Sequence, residues 1–239
     1  MKEVRYFYVP NAANTNELPT EEATHAVRVL RLKSGDEIYL MDGEGTFFQA
    51  EVTLASQKHC LYNIKKAIPQ EKTWNSKIHL AIAPTKDIGR IEWLVEKVTE
   101  VGFDEISFLN CKFSERKSLR SDRIERIVVS AMKQSRKPWK PIVNELINFD
   151  DFINKDFKGA KYICHCYNEI EKIDFFNSIN LQTTENITVL IGPEGDFSIE
   201  EVRKALANGY QSVTLGNSRL RTETAGLAAV MMANLSRRI

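Results

Sequence analysis

The 239-residue chain has few cysteines, Cys60, Cys111, Cys164 and Cys166, and they have no framework spacing. That argues against a disulfide-stapled secreted domain. No apolar run approaches the ~18 residues that a membrane span needs. The opening MKEVRYFYV is charged and strand-like and does not read as a secretory leader. A reducing, cytoplasmic setting is the expectation. Net charge is close to absent at +1, so total charge excludes no partner. Neither G-x-G-x-x-G nor G-x-x-x-x-G-K-[ST] occurs, which sets dinucleotide and P-loop chemistry aside. Repeats and low-complexity tracts are also missing.

A hydrophobic fraction of 43% is enough for a buried core. The first ~65 residues read as β-rich, from RYFYV to DEIYLMDGEGTFFQAEVTLA, with DGEG as a hairpin turn. One helix interrupts, TEEATHAVRVL, which Thr20 can cap and whose Ala23, Ala26, Val27 and Leu30 share a face. Together these predict a small barrel over residues 1–70. The polar, Pro-containing stretch 67–77 reads as a linker. From 71 to 239 strands alternate with helices: KIHLAIAPT, EISFLN, KYICHCY, ITVLIG and QSVTLG against helices starting at Ile88, Ser121, Ser198 and Thr222. Alternation of this kind predicts an α/β domain, a mostly parallel sheet with helices on both faces. Ile91, Leu94, Val95, Val98 and Val101 form one apolar stripe, and Ile124, Ile127, Val128, Ala131 and Met132 another.

Charge is unevenly spread. Residues 112–140 hold ten Lys or Arg against three acids. Such a block suits a polyanion, though it is also what a solvated helix face looks like. Glu92, Glu96 and Glu100, four apart, read as another solvated face. Cys164-His165-Cys166 invites a zinc reading. Tetrahedral zinc needs four ligands and no second Cys/His cluster exists, so no metal is expected.

Two turns follow strands and open helices: Gly192-Pro193-Glu194-Gly195-Asp196 and the run from Leu215 to Ala225. In open α/β sheets ligands bind at the carboxyl ends of strands, and glycine lets backbone approach them closely. Ordinary capped βα turns explain the same spacing equally well. The pair LIGPEGDFSIEEV and TLGNSRLRTETAGLAAV, however, resembles the SPOUT-class methyltransferases, specifically the bacterial family that methylates N3 of a uridine in 16S ribosomal RNA. HAVRVLRLKSGDEIYLMDGEG, KDIGRIEWLVEKVTEVGF and SAMKQSRKPWKPIV resemble further segments of that family, so the likeness spans the chain. Asp196 stands where the family more often has Gly, and Ser218-Arg219 where it often has Arg-Ile.

The resemblance implies a PUA-like N-terminal barrel, a C-terminal trefoil knot, a homodimer, and S-adenosylmethionine as cofactor. It assigns the cofactor to Ile191, Gly192, Pro193, Glu194, Gly195, Leu215, Gly216, Asn217, Ser218 and Leu220. The expected partner is 16S RNA or the small ribosomal subunit, with no membrane and no metal. RNA contacts are expected from Arg5, Arg28, Arg31, Arg116, Arg120, Arg123, Arg126, Lys133, Arg136 and Lys137. N3 of uridine is nucleophilic only after losing its proton, so a cation near O2 or O4 would stabilise the charge that develops. Arg221 is the candidate. Glu194 is the candidate to accept a proton or to orient its loop. Two alternatives are methylation of another RNA atom, such as a ribose 2′-oxygen, and a non-catalytic RNA-binding assembly factor.

Overall fold

The computed structural model describes residues 5–56, 58–180 and 186–239; residues 1–4 of the opening stretch lie outside the described residues. Two compact units are present, Met1–Lys72 with Val129–Lys140, and Thr73–Val128 with Pro141–Ile239.

The first unit is built on β1 (Tyr6–Tyr8), α1 (Thr20–Thr24), β2 (Glu37–Met41), β3 (Thr46–Ala55) and β4 (Cys60–Pro69). The strands form one sheet in the order β1-β2-β3-β4, with β1 parallel to β2 and the other pairs antiparallel. Alternation buries Ile38, Leu40, Phe48, Ala50 and Val52 with Phe7 and Tyr62 in a common core. In the DGEG turn, Asp42 Oδ1 accepts from the N–H groups of Glu44 at 2.7 Å and Thr46 at 3.0 Å. Gly45 is required there: its φ is +108°, and a Cβ would lie 2.2 Å from the Trp139 ring. The expected helix over 20–30 divides. Thr20–Thr24 is α-helical, and His25–Val29 is π-helical, closed by Leu30 N–H to His25 C=O at 3.1 Å. The first three residues of the expected linker belong to β4.

The second unit carries β5 (Ile78–Ile82), α2 (Ile88–Val101), β6 (Glu105–Asn110), α3 (Ser121–Ser135), β7 (Ile142–Asn148), α4 (Phe149–Ile153), β8 (Ala160–Cys164), β9 (Ile173–Asp174), α5 (Phe175–Asn180), β10 (Ile187–Ile191), α6 (Ile199–Ala207), β11 (Gln211–Thr214) and α7 (Thr222–Ser236). The seven strands among its described residues are all parallel, in the order β7-β6-β5-β10-β8-β11-β9. Both late strands enter between earlier ones: β10 between β5 and β8, β11 between β8 and β9. Phe149, Phe152, Phe197, Val202 and Tyr210 pack with Ala81, Ile163 and Leu190 in one core cluster. Ile82 meets α7, where a Cβ on Gly226 would come within 3.0 Å of both Ile82 and Leu94. That glycine lets helix and sheet approach closely.

Local signals explain the helix ends. Asp87 Oδ1 accepts from Gly89 N–H at 3.0 Å to start α2, and Gly102, at φ +110°, ends it. Ser198 and Glu201 form a complete capping box on α6. Ser121 opens α3 in a different way. Its hydroxyl donates to Glu145 Oε1 at 2.6 Å, and the first turn of α3 closes on the Arg120 carbonyl. Residues 121–128 of α3 belong to the second unit, and the rest to the first.

Candidate active site

The loops after β10 and β11 both begin where a parallel strand ends, and β8 lies between those strands. After β10, the chain turns over Gly192–Asp196, closed by Asp196 N–H to Pro193 C=O at 2.9 Å. Asp196 sits in left-handed backbone, φ +68°, a region in which a short polar side chain is tolerated better than most. Its carboxylate ties two segments together: Oδ1 accepts from Phe197 N–H at 2.8 Å and Oδ2 from Cys166 N–H at 2.7 Å. Glu194 Oε1 accepts from Lys86 N–H at 2.9 Å, bracing the loop after β5. After β11, Thr214 Oγ donates to Gly216 C=O at 2.8 Å, and Gly216 adopts φ +123°. Arg221 then occupies the N-cap position of α7.

These loops enclose a cavity of about 490 Å³. Of the residues expected at the cofactor, Ile191, Gly192, Pro193, Glu194, Leu215, Gly216, Ser218 and Leu220 line it, as does Arg221. Gly195 and Asn217 are not on its wall. A Cβ on Gly195 would instead meet Phe113 at 3.3 Å, so bulk added at Gly195 presses on Phe113 and does not fill the cavity. Gly192 serves its own turn, since a Cβ there would come within 2.9 Å of Phe197 N.

Asp196 and Thr222 of the two loops also line the cavity, joined by members from outside the loops: Arg90 from α2 and the run Cys164-His165-Cys166. Strand alternation places the two thiols opposite His165, but β8 ends at Cys164 and all three line the cavity. His165 Nδ1 accepts from Tyr167 N–H at 3.2 Å, which leaves the Nε2 proton to be donated to Ser212 Oγ at 2.7 Å. Burial, with Lys172 nearby, lowers the His165 pKa, consistent with this neutral ring. Burial and Asp196 raise the Cys166 thiol. No group of three or more His, Cys, Asp or Glu placed to hold a metal occurs among the described residues.

Three guanidinium groups reach the cavity. Arg90 lies 3.8 Å from Glu223 and 3.9 Å from Asp87. Arg219 and Arg221 make no ion pair or side-chain hydrogen bond among the described residues. The cavity carboxylates differ in the same way: both oxygens of Asp196 are engaged, whereas Glu194 uses only Oε1 among the described residues.

The basic block is divided between the two units. In the second, Arg120 and Arg126 share Asp122, holding its carboxyl at about 2, and Arg123 pairs with Glu92 at 2.5 Å. Arg116 donates to the carbonyls of Thr85 at 3.1 Å and Lys86 at 2.6 Å. In the first unit, Lys133 binds Glu22 at 2.6 Å, Arg136 lies 5.3 Å from the centre of the Tyr6 ring, and the Lys137 N–H bonds Met132 C=O. Arg28 and Arg31 are exposed, and Arg5 is half-buried. The pairs of Arg120 and Arg126 with Asp122 are exposed, and ion pairs of that kind contribute little to stability.

A family model of the RNA methyltransferase domain matches residues 72–234, and one of the RNA methyltransferase PUA domain matches residues 18–64. The chain is 28% identical over 225 residues to the ribosomal RNA small subunit methyltransferase E of Rickettsia conorii, covering 92% of this chain and 89% of the relative. Among solved structures, a probable rRNA-methyltransferase from Porphyromonas gingivalis superposes with a TM-score of 0.88 at 37% identity, covering 98% of each chain. A ribosomal RNA small subunit methyltransferase E from Neisseria gonorrhoeae, bound to S-adenosyl methionine, superposes with a TM-score of 0.84 at 27% identity over 95% of each chain. The chain belongs to the RNA methyltransferase family.

Proposed function

We propose that this protein uses S-adenosylmethionine to methylate N3 of a uridine in 16S ribosomal RNA of the small subunit. The observation that carries the reading is the single cavity bounded by both glycine-containing loops at the carboxyl ends of β8, β10 and β11. Its volume is within the range of small-molecule sites. Ile191, Pro193, Val213 and Leu220 provide an apolar slot, and Gly192, Leu215 and Gly216 bring backbone to it. A Cβ on Gly216 would meet nothing within 4 Å, so the space beside that backbone is open. The residues present therefore fit the cofactor. A relative of the same fold has been solved with it bound.

When bound, S-adenosylmethionine supplies an electrophilic sulfonium methyl. The chain's own residues do the rest. Glu194 is the cavity carboxylate with an uncommitted oxygen, and we assign it the N3 proton. Arg221, unpaired among the described residues and fixed at the start of α7, stabilises the charge that spreads over O2, N3 and O4. The closed turns hold the reacting groups in position, which is most of what methyl transfer needs.

We further infer that residues 1–70 bind RNA and 71–239 carry catalysis, that the second unit is knotted, and that the protein is a cytoplasmic homodimer. The entry of β10 and β11 between earlier strands supports the knot. Met231 and Leu235, large and exposed on α7, support a second copy packing there. No helix among the described residues is long and apolar enough to cross a membrane.

Methyl-labelled S-adenosylmethionine incubated with unmethylated small subunits, free 16S RNA and tRNA tests the reaction. Label on the small-subunit RNA, mapped to a uridine base, is the expected result. Label on a ribose oxygen moves the chemistry to 2′-O, and no label with intact RNA binding makes the protein a binder only. Light scattering at micromolar concentration should give twice the chain mass.

A further inference from the structure

Phe113 is a large aromatic side chain left 46% exposed on a segment that is otherwise tightly held. The segment after β6 is fixed at four points. Cys111 N–H donates to the buried Ser114 hydroxyl at 3.0 Å, and Lys112 N–H to Glu201 Oε1 at 2.8 Å. Arg116 reaches across to the carbonyls of Thr85 and Lys86, and Lys117 Nζ to Asn110 Oδ1 at 3.0 Å. A chain held this firmly does not expose a ring through disorder. The ring's base rests on Gly195, where even a Cβ would lie 3.3 Å away, so Phe113 abuts the motif loop that lines the cavity.

Two cations that follow it, Arg116 and Lys117, differ from the rest of the basic block. Arg120, Arg123, Arg126 and Lys133 are each in contact with a carboxylate. Among the described residues Arg116 and Lys117 contact only carbonyl and amide oxygens, so no contacting carboxylate there offsets their charge. Lys112 Nζ, 5.6 Å from the Phe113 ring centre, pairs with Glu200 at 3.2 Å and is not one of these free charges. A rigid exposed aromatic followed in the chain by two such cations is the arrangement that binds single-stranded nucleic acid, with a base stacked on the ring and phosphates on the cations.

We propose that Phe113 is the stacking platform for an unpaired base of the RNA strand next to the nucleotide in the cavity, with Arg116 and Lys117 receiving the adjoining phosphates. The proposal rests on the methyltransferase reading above and identifies a positioning surface for its substrate. Stacking is sequence-tolerant, so the platform sets how firmly the strand is held and leaves base identity to other contacts.

The test uses full-length protein and unmethylated small ribosomal subunits. Wild type, Phe113→Ala, Phe113→Leu and Phe113→Trp are compared in RNA affinity, single-turnover methyl transfer at subsaturating RNA, and S-adenosylmethionine affinity by calorimetry. Phe113→Ala and Phe113→Leu should each weaken RNA binding about tenfold, with transfer falling in parallel and cofactor affinity unchanged. Phe113→Trp should restore binding, and its additional tryptophan emission should be quenched by RNA. Wild-type affinity in Phe113→Leu overturns the proposal, since the side chain is then only apolar cover for Gly195. Loss of cofactor affinity in Phe113→Leu overturns it equally, by making the ring a prop for the loop. Failure of the wild type to bind cofactor or methylate any RNA would refute the methyltransferase reading and is a separate result.

Discussion

Asp196 offers a quantitative test of how the cavity is held. It adopts φ +68°, and its carboxylate accepts two backbone hydrogen bonds, from Phe197 at 2.8 Å and Cys166 at 2.7 Å. Hydrogen bonds to charged groups contribute about 1.5–3 kcal/mol each. Both are partly solvated, so the low end applies, about 3 kcal/mol together. Left-handed backbone costs a non-glycine residue about 1 kcal/mol, least for Asp and Asn. Asp196→Ala loses both bonds and keeps the backbone cost, so it should destabilise by about 3–4 kcal/mol. Asp196→Gly loses the bonds but relieves the backbone, leaving about 2 kcal/mol of destabilisation. Asp196→Asn keeps one oxygen and tolerates the conformation, leaving about 1–2 kcal/mol. The expected stability order is therefore wild type, Asn, Gly, Ala. Equilibrium urea unfolding measures it, and calorimetry with S-adenosylmethionine should follow the same order because the bond to Cys166 joins two walls of the cavity. A Gly variant at least as stable as wild type would refute the reasoning, showing that backbone conformation matters there and the carboxylate does not.

Arg221→Ala should lower saturated single-turnover methyl transfer about 10²–10³-fold while leaving cofactor affinity near wild type; intact turnover with lost affinity would make it a structural residue. Glu194→Gln keeps an acceptor for Lys86 N–H but cannot take a proton, so turnover should fall with no loss of thermal stability, and unchanged turnover would remove Glu194 from the chemistry. Gly216→Ala meets no atom within 4 Å, so any loss comes from φ +123° alone, about 1–3 kcal/mol, and should appear in cofactor affinity. Burial pushes His79 down to about 4 from an ordinary value of 6.5. The unfolded chain then takes up a proton that the folded chain refuses, so stability is complete above pH 6.5 and declines as pH falls toward 4. The slope is about 1.4 kcal/mol per unit and the total about 3 kcal/mol. Urea unfolding at pH 7.5, 5.5 and 4.5 should show that decline, and His79→Gln, which can keep a bond to Ser107, should flatten it.

Much of the fold is legible in the sequence because its causes are local. The apolar stripes of α2 and α3, the Ser198–Glu201 capping box and the terminating Gly102 each follow from residues a few positions apart. The two glycine-containing loops are equally visible, and most of their residues line one cavity. Only the tertiary structure decides which distant groups meet. Glu194 engages Lys86, 108 positions away, and no pattern within either segment announces the other. Arginines that look like one basic block by composition separate in the fold: Arg120 and Arg126 share the nearby Asp122, whereas Arg123 reaches Glu92 on α2. His165 joins the cavity because β8 stops one residue before it. Strand β7 escapes a periodicity search because IVNELIN is half-exposed and shows no sustained alternation. The order β5-β10-β8-β11 places late strands among early ones. Periodicity reports which face of an element is buried. Which element covers that face is set by long-range packing, and in this protein that packing assembles the site.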